Sequence, residues 1–459
     1  MPVDIRGLNE SCGVFGIWGH NKAAEMTYYG LHALQHRGQD GAGMVVKNNG
    51  QLLRHRGPGL ASDAFSKETL DKLTGTAAIG HVRYAMSGIH SQDGYQPRLF
   101  HFEKSSLAIG HNGCVVNAQE LRHDLESEGS IFQTTSDSET LAHLIRKSRH
   151  SFILDKLKAA LRKMQGSFTF VLLTQKKMMA ARDPLGIRPL VIGKLGDAYV
   201  VASETCAFDT LGVAYVRDVA PGEIIIIDDD GLRSEFFTSD TGMAACSMEF
   251  IYFARPDSNI DGINVHTSRK NAGRILAKES PTLAAEVVVP SPDSGISAAI
   301  GYAEESGIPY EIGLIKNRYS VRTFIAPSQE LREQGVKMKL SAVRAIVEGK
   351  SVVLVEDSIV RGTTSRRIVT LLKDAGAREV HMKVASPRLT HACCYGVDLH
   401  TTEELIAHSR TTEEICREIG ADSLSYISEK GLVEAVGLPC KKGGLCMACF
   451  NGDYPAGGG

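Results

Sequence analysis

The 459 residues include a single tryptophan, and aromatic residues make up only 6% of them. No apolar run approaches the roughly 20 residues that a membrane-spanning helix needs. The opening stretch Met1-Pro2-Val3-Asp4-Ile5-Arg6 lacks the apolar segment of a secretion signal, so the cytoplasm is the expected compartment. Neither sign of charge dominates: 51 Lys and Arg face 53 Asp and Glu, a net charge of −2. That balance argues against nucleic acid or an anionic membrane as partner, and any anionic ligand must be held by a local site. Ten cysteines are too few in so long a chain for a disulfide framework, and read instead as thiols available for catalysis or metal binding. Internal repeats and low-complexity linkers are also missing.

What is present fits a soluble enzyme, with 43% apolar and 23% charged residues. The length exceeds what one ordinary core covers and predicts two domains. Up to about Asp240, short β-rich runs such as Phe168-Thr169-Phe170-Val171-Leu172-Leu173 and Glu223-Ile224-Ile225-Ile226-Ile227 alternate with turns. The spacing of apolar residues predicts helices over 138–148 and 153–164. Beyond that point, Glu286-Val287-Val288-Val289-Pro290 and Ser351-Val352-Val353-Leu354-Val355 are apolar throughout. Each precedes a turn and a helical pattern (297–306 and 365–375, the second closed by Gly376). Such strands predict a parallel sheet covered on both faces.

Cys12 heads the run Cys12-Gly13-Val14-Phe15-Gly16-Ile17, a place where a lone cysteine is usually structural. Four stretches follow in order: Leu34-Gln35-His36-Arg37-Gly38-Gln39-Asp40-Gly41-Ala42-Gly43, Gly80-His81-Val82-Arg83-Tyr84, Gly110-His111-Asn112-Gly113 and Thr135-Ser136-Asp137-Ser138-Glu139. Singly, Asn112-Gly113 reads as a turn, Arg83 as a surface ion and Asp137 as a helix cap. Together, after Cys12, the series resembles the class II glutamine amidotransferases, which are N-terminal-nucleophile hydrolases. A thiol of ordinary pKa about 8.5 needs a base at neutral pH, and a free α-amino group of pKa about 7.7–8.0 suits. The resemblance therefore implies that residues 1–11 are a removable propeptide. It also implies that Asn112 and the Gly113 N–H stabilise the oxyanion. Arg83 would hold the α-carboxylate of glutamine and Asp137 its α-ammonium.

The second informative stretch is Val352-Val353-Leu354-Val355-Glu356-Asp357-Ser358-Ile359-Val360-Arg361-Gly362-Thr363-Thr364. Two acids at a strand end can grip vicinal ribose hydroxyls. A Gly- and hydroxyl-rich turn into a helix offers backbone N–H groups to phosphate. The pattern is similar to that of the type I phosphoribosyltransferases, and Ser358 to Ser365 narrows it to the amidophosphoribosyltransferases. That resemblance assigns Glu356, Asp357, Ser358, Arg361, Gly362, Thr363, Thr364 and Lys316 to phosphoribosyl pyrophosphate. Ser294, Glu356 and Asp357 are assigned to Mg2+, with Pro292-Asp293-Ser294-Gly295 facing the pyrophosphate. The stretch 316–339, with basic Lys316, Arg318, Arg322, Arg332, Lys337 and Lys339, resembles the family's lid. The family normally carries Asp-Asp where this chain has Glu356-Asp357.

Cys446-Met447-Ala448-Cys449 alone leaves redox, zinc and iron–sulfur readings open. The Bacillus-type branch of the family holds a [4Fe–4S] cluster on four cysteines, and the resemblance assigns these to Cys246, Cys393, Cys446 and Cys449. Cys394 is adjacent, but the following Tyr395-Gly396 favours Cys393. Cys114, Cys206 and Cys416 are expected to be buried, and Cys440 stays open.

Residues 12–454 carry the resemblance. It implies an α+β four-layer αββα glutaminase domain (12–240), then a doubly wound α/β phosphoribosyltransferase domain with a C-terminal tail (241–459). It further implies glutamine and phosphoribosyl pyrophosphate as substrates, ammonia passed between two sites, purine nucleotides as feedback inhibitors and a homo-oligomer, often a tetramer. A regulator that binds phosphoribosyl pyrophosphate without turnover is disfavoured by the intact glutaminase series. A glutaminase serving another synthase is disfavoured by the ribose-binding acids.

Overall fold

The two-residue period of single strands builds the layers of the first half. In Gly13–Trp18, Val14 and Trp18 face one core while Phe15 and Ile17 face another. The structure is a computed structural model describing residues 12–84, 94–103, 105–282, 284–316, 340–399, 401–438 and 443–458. The expected propeptide, the lid basics from Arg318 to Lys339, and Cys440 lie outside the described residues.

Gly13–Trp18 is the fourth strand of a seven-stranded antiparallel sheet ordered Ala214–Asp218, Val191–Leu195, Ala198–Ala202, Gly13–Trp18, Ala77–Arg83, Gly41–Asn48, Gln51–Pro58. A six-stranded antiparallel sheet follows the order Gly231–Phe236, Glu223–Asp228, Met178–Arg182, Gly166–Thr174, Ser105–Val115, Arg98–Phe102. Val14, Val45 and Ile79 of the first meet Val171, Leu173 and Ile225 of the second in a shared core. Helices Ala23–Ala33 and Cys206–Leu211 cover the outer face of the larger sheet, and Asp137–Lys147 and Ile153–Leu161 that of the smaller. This is the αββα stack expected from the sequence.

In the second half, Val287–Pro290, Ser351–Glu356, Glu379–Val384 and Ser423–Tyr426 form an all-parallel sheet in that order. Val287, Val289, Val352 and Leu354 pack against Ile368, Val369 and Leu372 of helix Thr363–Asp374. On the other face Val288, Val353 and Val355 meet Ala272, Leu276, Ala298 and Leu432, from three further helices. Both faces are thus buried, which explains the uninterrupted apolar strands. Helix Thr363–Asp374 starts two residues earlier than its apolar spacing predicts. Gly362, at φ 74°, turns the chain into it, and Thr363 and Thr364 form its first turn.

The halves meet through buried ions. Glu249 takes both Arg37 and Arg188, with Arg37 held also by Glu204 of its own half, and Asp261 receives two hydrogen bonds from Arg182 at 2.7 and 2.8 Å. Stripping one partner from such a pair costs about 3–5 kcal/mol, so the relative placement of the two halves is expensive to disturb.

Candidate functional site

Antiparallel register pairs Gly13 with Val82, which sets Cys12 beside Arg83, the last residue of Ala77–Arg83. The Cys12 thiol approaches the Tyr84 carbonyl at 3.9 Å. Burial pushes its pKa up, and the Tyr84 contact and the Arg83 guanidinium pull it partly back.

Asn112 and Gly113 lie in Ser105–Val115 of the facing sheet, so they are strand residues and not the turn that Asn-Gly alone suggests. The Asn112 amide is buried, and neither its Oδ1 nor its Nδ2 has a partner. An unpaired buried amide costs about 1–3 kcal/mol, a cost met where a ligand is to be received. Gly113 has φ 126°, and a Cβ there would lie 2.3 Å from the Ser167 carbonyl oxygen, so only glycine fits. Asp137 opens helix Asp137–Lys147, with Ser136 at the N-cap position. Its carboxylate does not cap that helix but accepts from the Val115 N–H at 2.9 Å, tying the helix to the Asn112 strand. Burial pushes its pKa up to about 6, with the Val115 N–H opposing.

Sequence reasoning missed Gln96. Its Oε1 accepts from the His111 N–H at 2.9 Å and the Ser138 hydroxyl at 3.1 Å, bracing Asn112 and Asp137 from one atom. A glutamine in Tyr95-Gln96-Pro97 carries no motif by which it could be found. His81 donates from Nε2 to the His111 carbonyl at 3.0 Å. Burial pushes both histidines down to about 3, so they are neutral and too weakly basic to draw a thiol proton at pH 7.

Across the molecule, Glu356 ends its strand and Asp357 opens the turn, both buried, at the carboxyl edge where doubly wound sheets bind ligands. Asp357 accepts from the Ser294 hydroxyl at 2.6 Å and the Ser358 hydroxyl at 2.8 Å. Glu356 Oε2 is buried without a partner. Burial, then the adjacent Asp357, pushes the Glu356 pKa well up. A cavity of about 200 Å³ brings together Ser294, Glu356, Asp357, Ser358, Arg361, Gly362, Thr363 and Thr364. Arg361 is also tied to Glu404 at 2.6 Å. Lys316 is not in that cavity: it pairs with Asp293 at 3.0 Å and lines an adjoining one of about 600 Å³ with Tyr310, Leu314 and Ser341.

Cys246 and Cys446 sit opposite each other where Met243–Cys246 pairs in parallel with Gly443–Cys446. Cys449 is on the short helix Ala448–Asn451, and burial, then Cys393, Cys246 and Cys446, push its pKa up. All four predicted sulfurs therefore share one electrostatic neighbourhood. The Cys394 thiol meets the Gly457 carbonyl at 3.8 Å. Among the remaining cysteines Cys206 is buried as expected, whereas Cys114 and Cys416 are only half-buried. Cys114 lies at the second-last residue of Ser105–Val115, and Cys416 packs only partly against its core from helix Thr412–Ile419.

A family model described as a glutamine amidotransferase domain matches residues 81–210. The amidophosphoribosyltransferase of Bacillus subtilis (strain 168) is 58% identical over 458 residues, covering 99% of this chain and 96% of that protein. The amidophosphoribosyltransferase of Staphylococcus aureus (strain MRSA252) is 53% identical over 98% of this chain and 92% of its own length. This chain belongs to the amidophosphoribosyltransferase family. The fold agrees: the solved glutamine phosphoribosylpyrophosphate amidotransferase of B. subtilis, complexed with ADP and GMP, superposes with a TM-score of 0.93. It is 57% identical, covering 97% of this chain and 98% of that one. Family membership therefore joins the two sites, which share no residue, into one enzyme.

Proposed function

We propose that this chain converts glutamine and phosphoribosyl pyrophosphate into 5-phosphoribosylamine, glutamate and pyrophosphate, the first committed step of purine synthesis. The observation that carries the reading is the presence of both sites in one chain. One is an unpaired Asn112 amide with Gly113 in the sheet facing Cys12. The other is a carboxylate-and-hydroxyl cavity at the parallel sheet edge.

Removal of residues 1–11 gives Cys12 the α-amino group that serves as its base, a role the neutral histidines cannot fill. The thiolate attacks the amide carbon of glutamine, and Asn112 Nδ2 and the Gly113 N–H receive the oxyanion. Arg83 and Asp137 hold the two charges of the amino acid. Asp137 must be ionised to bind an ammonium. Below pH about 6 it is protonated, so the glutamine KM should rise up to roughly tenfold per pH unit, while ammonia-driven synthesis lacks this limb. Asp137→Asn should raise KM and flatten the limb; a KM equally pH-dependent in that variant would reject the assignment.

In the second cavity, Glu356 and Asp357 take the ribose hydroxyls, and the Gly362 turn with Thr363 and Thr364 takes the 5-phosphate at the helix N-terminus. Ser294, Glu356 and Asp357 offer hard oxygen donors, one of them the unpartnered Glu356 Oε2, and so suit Mg2+. When bound there, Mg2+ would neutralise charge on the departing pyrophosphate. Ammonia from the first site attacks the anomeric carbon as pyrophosphate leaves, and the stretch from Lys316 supplies the lid that excludes water.

Cys246, Cys393, Cys446 and Cys449 would hold a [4Fe–4S] cluster that pins the C-terminal tail. Four thiol donors brought together from separate segments suit a cluster whose thiolates each bind a different iron. Cys449→Ser should lose iron and acid-labile sulfide, whereas Cys394→Ser should retain both; the reverse pattern would exchange the ligands.

Purine nucleotides as feedback inhibitors, a homotetramer and the cytoplasm complete the reading. No helix among the described residues is long and apolar enough to cross a membrane. The test is anaerobic protein with its N-terminus verified, given glutamine, phosphoribosyl pyrophosphate and Mg2+. Glutamate and pyrophosphate should appear in step; glutamate without pyrophosphate would refute the second site.

A further inference from the structure

The loop that carries Cys393 lies directly against the strand that carries Asn112 and Gly113. Its Tyr395 carbonyl accepts from the buried Ser167 hydroxyl at 2.7 Å and the buried Arg188 guanidinium at 2.8 Å. Ser167 stands opposite Cys114 in the pairing of Gly166–Thr174 with Ser105–Val115, and its hydroxyl also accepts from the Cys114 N–H at 3.2 Å. One residue further on, Gly396 adopts φ 94°. A Cβ there would lie 3.2 Å from the Gly113 carbonyl carbon, 3.4 Å from its oxygen and 3.3 Å from Arg188. At the end of the loop, Asp398 accepts from the Tyr84 hydroxyl at 3.4 Å, and the Tyr84 carbonyl is the group the Cys12 thiol meets.

The other side of the loop is anchored in the C-terminal half. The Tyr395 hydroxyl donates to the Gly457 carbonyl at 2.9 Å and accepts from the Ala456 N–H at 2.8 Å. The Cys393 N–H donates to the Leu399 carbonyl at 2.7 Å, closing the loop on itself. A segment fixed on the phosphoribosyl half thus presses bare backbone on the glutaminase strand, and a glycine is what lets it come so close.

We propose that residues 393–398 are a positioning strap for the glutamine site, with Gly396 and the Tyr395 carbonyl holding Gly113 and Asn112 where the oxyanion develops. The inference rests on the reading of Asn112 and Gly113 as the oxyanion donors. Such donors act more strongly on the tetrahedral transition state than on bound glutamine, whose charges are held by other segments. Displacing them lowers kcat for glutamine hydrolysis and leaves the glutamine KM nearly unchanged. Ammonia-driven synthesis does not use them.

The test uses the complete holoenzyme purified without oxygen and three variants: Gly396→Ala, Ser167→Ala and Asn112→Ala. Gly396→Ala should lower kcat for glutamate release about tenfold or more. Glutamine KM, ammonia-driven pyrophosphate release and iron content should each stay within about twofold of the parent value. Ser167→Ala removes one hydroxyl and adds no bulk, and should show the same selective loss at about threefold. If Gly396→Ala does not fold, Ser167→Ala decides alone. An unchanged kcat, a raised glutamine KM at constant kcat, or a parallel fall of glutamine- and ammonia-driven rates would overturn the strap. Normal glutamate release by Asn112→Ala would overturn the oxyanion reading itself. A slow Asn112→Ala beside a normal Ser167→Ala would overturn the strap alone.

Discussion

Cys12→Ala is expected to lower glutamine-driven pyrophosphate release by about 10³-fold or more while ammonia-driven release stays within about twofold. The size follows from the role. Without the thiol no acyl intermediate forms, and the donors at Asn112 and Gly113 have no tetrahedral adduct to stabilise. The selectivity follows from the geometry, because Cys12 belongs to the antiparallel stack and Asp357 to the parallel sheet. Parallel assays with glutamine and with ammonium chloride at alkaline pH would check it. Equal loss of both activities would mean that the halves do not work as separable sites. A variant that extends the chain before Cys12 and blocks removal of residues 1–11 should behave like Cys12→Ala, because the base is then missing.

Asp357→Asn should do the reverse: pyrophosphate release falls about 10²-fold or more with either nitrogen source, and basal glutamine hydrolysis survives. Asp357 lines its cavity and takes the Ser294 and Ser358 hydroxyls at 2.6 and 2.8 Å, so neutralising it removes charge and unsettles both neighbours. Unchanged synthesis would sink the assignment of the second site. Glu356 is expected to be more tolerant. Its Oε2 has no protein partner and its Oε1 takes only the adjacent Asp357 N–H, at 3.3 Å, so Glu356→Asp gives up little that the chain holds, and activity should stay within about tenfold. Initial-rate measurements over a range of Mg2+ concentrations would separate a weakened metal site from a misplaced ribose.

Local pattern was enough for the elements, and the family resemblance for the candidate chemistry. Strands such as Val287–Pro290 and Ser351–Glu356 are apolar throughout because both their faces are covered, and that property is written residue by residue. The proposed nucleophile, oxyanion pair and two carboxylates lie in the short motifs that carry the resemblance to the family. Asn112-Gly113 was misleading on its own terms: the dipeptide favours turns, yet here it lies within a strand where Gly113 presses on Ser167. Lys316 was grouped with the phosphoribosyl site by its motif, but its side chain turns to Asp293 and an adjoining cavity.

The remaining assignments needed the third dimension, because they depend on contacts between segments far apart in the chain. Gln96 braces His111 and Ser138 with one oxygen, and no spacing in the sequence encodes that. Cys393, favoured over Cys394 by the Tyr395-Gly396 context, is the one whose charge acts on Cys449 together with Cys246 and Cys446, a grouping of three distant segments. The ions Arg37, Arg188 and Glu249 pair in the interior between the halves, from segments far apart in the chain. Strand periodicity therefore made the elements legible in the sequence, and the motifs that carry the family resemblance supplied the candidate reacting groups, since both are local. Tertiary structure decided what holds those groups in place, because buried polar partners are chosen by packing across the chain and leave no periodic trace in it.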